Sequence, residues 1–172
     1  ARTIKKIREF SSPKTDESKF VLLNANELME GTLELVKPKI KDEAEEKGIP
    51  IHVQMVPGEL LWVMGNPSEL KEVLLNVVLN SIDALPQGGA ITLRVRRNNG
   101  YASIEVNDNG IGIPSSIKDC VFDPFFTTKG LQRSGLGLSI SYGIIQRHRG
   151  EIQVESQEGI GTTFSIQLPI AE

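Results

Sequence analysis

Between Pro67 and Leu85 the chain carries a helix that water cannot surround. At about 100° per residue, Val73, Leu74, Leu75, Val77, Val78, Leu79, Ile82 and Leu85 cover most of its circumference. Glu69, Glu72, Asn76, Asn80 and Asp83 share the remaining sector of roughly 80°. A helix apolar nearly all round must be enclosed by other elements. The chain is therefore constrained to a layered domain with this helix inside and one polar seam facing out. The bland reading of that seam is a solvated face. Against it, Asn is a poor helix former that a solvated face would exchange at little cost. Two of them one turn apart, Asn76 and Asn80, suggest a shared ligand, and an amide oxygen suits Mg²⁺ beside phosphate oxygens.

The rest of the sequence supplies elements to enclose the helix. Ile4, Ile7 and Phe10 are spaced as a helix stripe, which Ser11-Ser12-Pro13 ends, and residues 14–23 read as a linker. Asn26 is the expected cap of a helix carrying Leu28, Leu33, Leu35 and Val36, with Pro38 inside and Gly48 at its end. Strands are predicted at Ile51–Val56, Leu60–Met64, Glu151–Ser156 and Thr162–Leu168. Ile91, Leu93 and Val95 alternate with polar residues, as do Ile104 and Val106, across an Asn98-Asn99-Gly100 hairpin signal. A helix is predicted from about Gly135 to Arg147. The stretch from Asn109 to Ser134 shows no sustained periodicity and is too long for a structural connector, which points to function.

Composition narrows the chemistry. Of 172 residues, 19 are Lys or Arg and 22 Asp or Glu, a net charge of −3 without the basic excess of a nucleic-acid binder. One cysteine, Cys120, and two histidines, His52 and His148, argue against disulfide frameworks and zinc sites. No apolar run reaches the ~18 residues of a membrane span. The chain starts without Met in what reads as mid-helix, and is expected to be a segment of a longer cytoplasmic protein, whose membrane anchoring stays open.

Three Gly-x-Gly pairs occur, Gly110/Gly112, Gly135/Gly137 and Gly159/Gly161, none of which completes a dinucleotide fingerprint or a P-loop. Their settings say more. Asp108-Asn109-Gly110-Ile111-Gly112-Ile113 follows a strand, so its carboxylate could accept from an adenine amino group. Gly135-Leu136-Gly137-Leu138 opens a helix whose free N–H groups and dipole suit phosphate. Between them lies Phe122-Asp123-Pro124-Phe125-Phe126-Thr127-Thr128-Lys129, where Phe122 and Phe125 are expected to anchor the loop and Lys129 to offer a cation to phosphate.

The Asn76-x-x-x-Asn80 helix, DNGIGI, FDPFFTTK, GLGLSI and GIGTTF, in this order and spacing, resemble the ATP-binding domain of bacterial sensor histidine kinases over about residues 24–170. FSSPK followed by LNANELMEGTLELVKPK is similar to the exit from the dimerising hairpin of the nitrogen-regulatory sensor type. The resemblance implies the Bergerat ATP-binding fold: a two-layer α/β sandwich with a mixed, mostly antiparallel sheet and three helices on one face. It divides the chain into 1–22, the end of the dimerisation and phosphoacceptor helix with its linker, and 23–172, the catalytic domain. Its cofactors are ATP and Mg²⁺. Asp108 is implied to bind the adenine amino group, with Gly110, Gly112, Ile113, Asp83 and Thr162 around the base. Asn80 is implied to hold Mg²⁺, with Asn76 near the phosphates. Thr127, Thr128, Lys129, Arg133, Ser134, Gly135, Leu136, Gly137 and Leu138 form the implied lid and phosphate cradle, and Asn76, Asn80 and Lys129 the catalytic set.

The chain departs from the family pattern at two places. Arg133 stands where many relatives have Gly, which leaves its effect on phosphate open, and Arg149 interrupts a usual His-Gly-Gly. Neither His52-Val53-Gln54 nor His148-Arg149-Gly150 has the acceptor context of a His followed by an acidic residue. His52 is expected on a strand surface and His148 at a helix end, near the negative dipole. The phosphoacceptor domain is thus expected outside the chain, with a response regulator receiver domain as further partner and no nucleic acid. The segment itself is expected to be a monomer and its parent a homodimer. Two other functions compete. Related ATPases, as in gyrase, mismatch-repair and heat-shock proteins, place a water-activating Glu where this chain has Asn76, and a neutral amide cannot take that proton. A non-catalytic nucleotide sensor fits less well with an intact Asn80, Asp108 and lid glycines.

Overall fold

The computed structural model describes residues 19–128 and 135–171. The helix expected within residues 1–10, together with Lys129, Arg133 and Ser134, lies outside them. The elements are β1 (Val21–Asn24), α1 (Ala25–Lys47), β2 (Ile51–Val56), β3 (Trp62–Gly65), α2 (Pro67–Asp83), β4 (Gly89–Asn98), β5 (Tyr101–Asp108), α3 (Ser115–Lys118), α4 (Gly137–Arg147), β6 (Glu151–Gln157) and β7 (Gly161–Pro169).

Five strands form the main sheet in the order β2-β4-β5-β7-β6. Only β2 and β4 run parallel; the other three pairings are antiparallel. The mixed, mostly antiparallel sheet is as expected. Asn99 and Gly100 both have positive φ, 47° and 84°, and Asn98 pairs with Tyr101. A two-residue hairpin turn of matching twist requires that conformation, which explains the Asn-Gly pair. The described residues also contain two features beyond the expected sandwich. One is a ribbon of β1 and β3. The other is a fourth helix, where three were expected: α3 is a single turn of four residues, too short to leave a stripe in the sequence.

The sheet is apolar on one face. Ile91, Leu93, Val95, Ala102, Ile104 and Val106 are all within 2% of full burial. The helices cover this side. α2 contributes Leu70, Val73, Leu74, Val77, Val78 and Ile82, each worth about 1.5–3 kcal/mol when buried. α1 runs through Pro38 without ending, and Gly48 closes it at φ 63°. Its cap is Asn24, where Asn26 was expected. Asn24 is extended, and its side chain accepts from Asn26 N at 2.9 Å, because β1 ends there and Asn26 is already in the first turn. The Asn26 side chain instead accepts from Gly58 N at 3.0 Å and donates to Glu59 O at 3.1 Å. Of the apolar residues this helix carries, Leu28 and Val36 are buried and Leu35 is exposed.

The N-terminus of α2 and the C-terminus of α4 meet at His148. Its ring is buried, with Nδ1 2.8 Å from Ile144 O and Nε2 accepting from Asn66 N at 3.1 Å. A carbonyl only accepts, so the proton sits on Nδ1 and the ring is neutral. Thus His148 stands at a helix end as expected, but as an uncharged clasp rather than a cation answering the dipole. Phe20 stacks on it with centroids 4.5 Å apart. Glu69 Oε2 lies 3.9 Å from Nδ1, and Glu69 Oε1 pairs with Arg147 at 3.1 Å.

Burial is the chief cause holding the His148 pKa below its ordinary 6.5, against the opposing Ile144 hydrogen bond and Glu69 charge. A depressed pKa means the unfolded chain binds a proton the folded one refuses, so stability is intact above 6.5 and falls as pH drops below it. The contribution can fall by up to about 1.4 kcal/mol per pH unit. Denaturant unfolding from pH 7.5 to 5.5 should show this slope in the parent and a shallower one in His148→Gln. Parallel curves would contradict the assignment.

Candidate functional site

The polar seam of α2 opens on a cleft of about 690 Å³ bounded by α2, the end of β5, the segment after it, the start of α4, and β7. Asn76, Asn80 and Asp83 line it, one turn after another. The other two residues of the predicted seam go elsewhere. Glu72 is exposed, and Glu69 turns to Arg147. The divide follows from what packs on the helix: its first turns lie against the end of α4, its later ones beside the cleft.

Asp108 closes the floor at the end of β5, only 2% exposed. It accepts from Gly110 N at 2.9 Å. Burial is the dominant influence and raises its pKa above the ordinary 3.8, while the N–H groups of Gly110 and Thr162 and the Ser81 hydroxyl pull it back. The Ser81 hydroxyl is buried beside this carboxylate yet completes no full hydrogen bond among the described residues. Thr162, also on the floor, is Asp108's cross-strand partner. Its hydroxyl meets Ser156 Oγ at 2.8 Å, and Ser156 Oγ accepts from Ile113 N at 2.8 Å. Ser156 thereby fastens the segment after β5 onto β6 and β7.

Of the remaining expected residues, Gly112, Ile113, Thr127, Thr128, Gly135, Gly137 and Leu138 line the cleft. Gly110 and Leu136 do not. Both Gly110 and Gly112 stand where a side chain would meet backbone. A Cβ on Gly110 would lie 2.2 Å from Ala84 O, and one on Gly112 2.1 Å from Gln157 O. The space is taken by the protein's own backbone, which draws the segment close under the cleft. Phe122 anchors that segment as expected, edge-on to Phe164 at 6.3 Å. Phe125 does not: it is 74% exposed at φ 64°, and Phe126 lines the cleft instead. His52 is exposed on β2, as expected.

Sequence reasoning missed the apolar walls, Ala84, Ile111, Pro114, Ile117, Val121 and Phe164, and the exposed Glu158. Two signals were available. Phe164 follows Thr162 by the strand period of two, and Val121 follows Ile117 by one helical turn.

Apolar walls above a buried carboxylate suit a flat heterocycle carrying an amino donor. The outer end differs. Among the described residues no side chain caps the start of α4, and a helix N-terminus of this kind suits an anion. Among the described residues no three His, Cys, Asp or Glu converge as a metal cage. A divalent ion here would take an amide oxygen of the seam and complete its shell with phosphate oxygens and water, which is how Mg²⁺ is commonly held.

The family described as histidine kinase-, DNA gyrase B-, and HSP90-like ATPase matches residues 65–172. The chain is 36% identical over 173 residues to the signal transduction histidine-protein kinase AtoS of Escherichia coli (strain K12), covering 98% of this chain and 27% of AtoS. It thus spans about a quarter of that relative's length. Among solved structures, the nucleotide-free catalytic domain of the histidine kinase ThkA superposes with a TM-score of 0.75 at 33% identity, covering 87% of this chain and 95% of that one. ThkA in complex with the response regulator protein TrrA matches at TM-score 0.76 and 31% identity, covering 99% and 47%.

Because Gly110 touches backbone, Gly110→Ala should cost about 1–3 kcal/mol of stability. Gly137→Ala should be nearly neutral, since the nearest atoms to an added Cβ are 3.6 Å away. Thermal denaturation of both variants checks this; equal effects would contradict the packing account.

Proposed function

From the premise that the chain belongs to the family of histidine kinase-, DNA gyrase B- and HSP90-like ATPases, we propose that it is the catalytic domain of a sensor histidine kinase. It binds Mg²⁺-ATP and gives the γ-phosphoryl group to a histidine on a dimerisation and phosphoacceptor domain, from which a response regulator receiver domain takes it. Residues 1–22 are the end of that domain's helix and its linker, and residues 23–172 the catalytic domain. The working form is a homodimer assembled through the helical hairpin, with the ATP-binding part in the cytoplasm and monomeric by itself. No helix among the described residues is long and apolar enough to cross a membrane.

The observation that carries the choice of transfer over hydrolysis is the state of Asn76. Its amide nitrogen is 3.3 Å from Gly137 O and 3.3 Å from Ser141 Oγ. No carboxylate stands at that turn of the seam, and Glu72, one turn earlier, is exposed. Water in the cleft therefore meets a neutral amide that cannot accept its proton. Asp108 would accept from the adenine amino group. Asn80 would hold Mg²⁺, which neutralises charge on the triphosphate. The start of α4 and Thr128 would face the phosphates. In the transfer, the bond from the γ-phosphorus to the bridging oxygen breaks, that oxygen leaves with the electron pair on ADP, and a phosphorus–nitrogen bond forms on the acceptor imidazole. Lys129, Arg133 and Ser134 belong to the same cradle by resemblance.

Asp108 sets the base. Losing one charge-assisted hydrogen bond costs about 1.5–3 kcal/mol, so Asp108→Ala should weaken ATP binding roughly ten- to a hundredfold. An adenine amino group favours the ionised carboxylate, so binding should weaken as pH falls through the raised Asp108 pKa. Asp108→Asn should lose both affinity and this part of the pH dependence. Calorimetry across pH on all three proteins tests it, and unchanged affinity in a folded Asp108→Ala would overturn the base assignment.

A further inference from the structure

Ser141 lies on α4, outside the cleft lining, and is fully buried. Its hydroxyl donates to Gly137 O at 2.9 Å, the carbonyl one turn earlier. Both groups also receive Asn76: the amide nitrogen donates to Gly137 O and to Ser141 Oγ, each at 3.3 Å. A carbonyl oxygen cannot donate, so the nitrogen of Asn76, and not its oxygen, must face α4. Once Ser141 has given its proton to Gly137 O, its lone pairs are acceptors, and they too demand the nitrogen. Two acceptors on one edge fix the nitrogen there and leave the oxygen on the other edge, 3.6 Å from where a Cβ of the cleft-lining Gly137 would stand.

We propose that Ser141 is a positioning residue for Asn76, holding its amide nitrogen against the start of α4 so that its oxygen faces the triphosphate end of the cleft. Without this constraint, a primary amide can turn over and exchange an acceptor for a donor at the same place. Near phosphate and a divalent ion these are opposite in effect: the oxygen attracts the cation, the nitrogen repels it. The two helices carrying the device are also tied at their far ends by Glu69–Arg147 and by Asn66 N–His148, so the amide is held between fixed supports. Gly137 adds a second condition. The nearest atoms to a Cβ there would be those of the Asn76 amide, at 3.6–3.8 Å, so a side chain would lie against it. The role at the triphosphate rests on the function proposed above; the orientation of the amide does not.

The test uses Ser141→Ala and Ser141→Cys, which lose the strong acceptor, and Ser141→Thr, which keeps a hydroxyl. Nuclear magnetic resonance of the Asn76 side-chain amide reads the orientation without any reaction. In the parent its two protons should exchange slowly with water, and in the Ala and Cys variants at least about tenfold faster, following loss of a buried hydrogen bond. Thr should restore protection. With the full kinase, Ala and Cys should lower the phosphoryl-transfer kcat about three- to tenfold while the KM for Mg²⁺-ATP stays within about twofold. In an Asn76→Ala background the same Ser141 changes should have less than about a twofold effect, since the group acted upon is gone. Amide exchange unchanged in Ser141→Ala, or losses that multiply in the double variant, would overturn the proposal. A parent that transfers no phosphoryl group, yet whose amide loosens in Ser141→Ala, would keep the positioning inference and reject the kinase reading.

Discussion

Helix α2 has to satisfy two opposite demands, and the arrangement around it follows from them. Six of its apolar side chains are buried among the sheet and the neighbouring helices. Its seam needs water or a ligand. A single sheet could not cover so wide an apolar surface, so α1 and α4 flank it and leave one gap. The gap is the cleft. Position in the fold thus decides exposure: Asn76, Asn80 and Asp83 line the cleft because packing leaves that side of the helix open.

Asp108 shows what holding such a site ready costs. A carboxylate at 2% exposure is unfavourable, and its raised pKa records the fact. Two backbone N–H groups and a nearby hydroxyl offset part of the penalty. A bound amino group donating to it would offset more of that penalty. Gly110 and Gly112 serve the same end indirectly: they let the segment after β5 press against Ala84 and Gln157, fixing where the carboxylate's neighbours stand.

Much of this was legible in the sequence, because angular arithmetic on a buried helix separates its seam from its core. The order of strand, glycine pair, phenylalanine cluster and second glycine pair likewise placed Gly112, Thr127, Thr128 and Gly137 on the cleft, though not its apolar walls. Other parts were not legible. Asn24 and Asn26 are both good caps two residues apart, and only the end of β1 chooses between them. Ser141 and Ser156 look like ordinary serines; their roles come from contacts across 65 and 43 residues. Phe125 and Phe122 are the same residue type in one motif, yet a positive φ turns one to solvent while the other packs on Phe164.

On the function proposed above, one cleft takes the adenine on Asp108 and the triphosphate between Asn80 and the start of α4. A crystal structure of the domain with Mg²⁺ and a non-hydrolysable ATP analogue tests it most directly. The adenine amino group should lie within hydrogen-bond distance of Asp108, the metal on the Asn80 amide oxygen, and phosphate oxygens at the first N–H groups of α4. An analogue bound elsewhere, or with its base away from Asp108 or its metal on other residues, would contradict it.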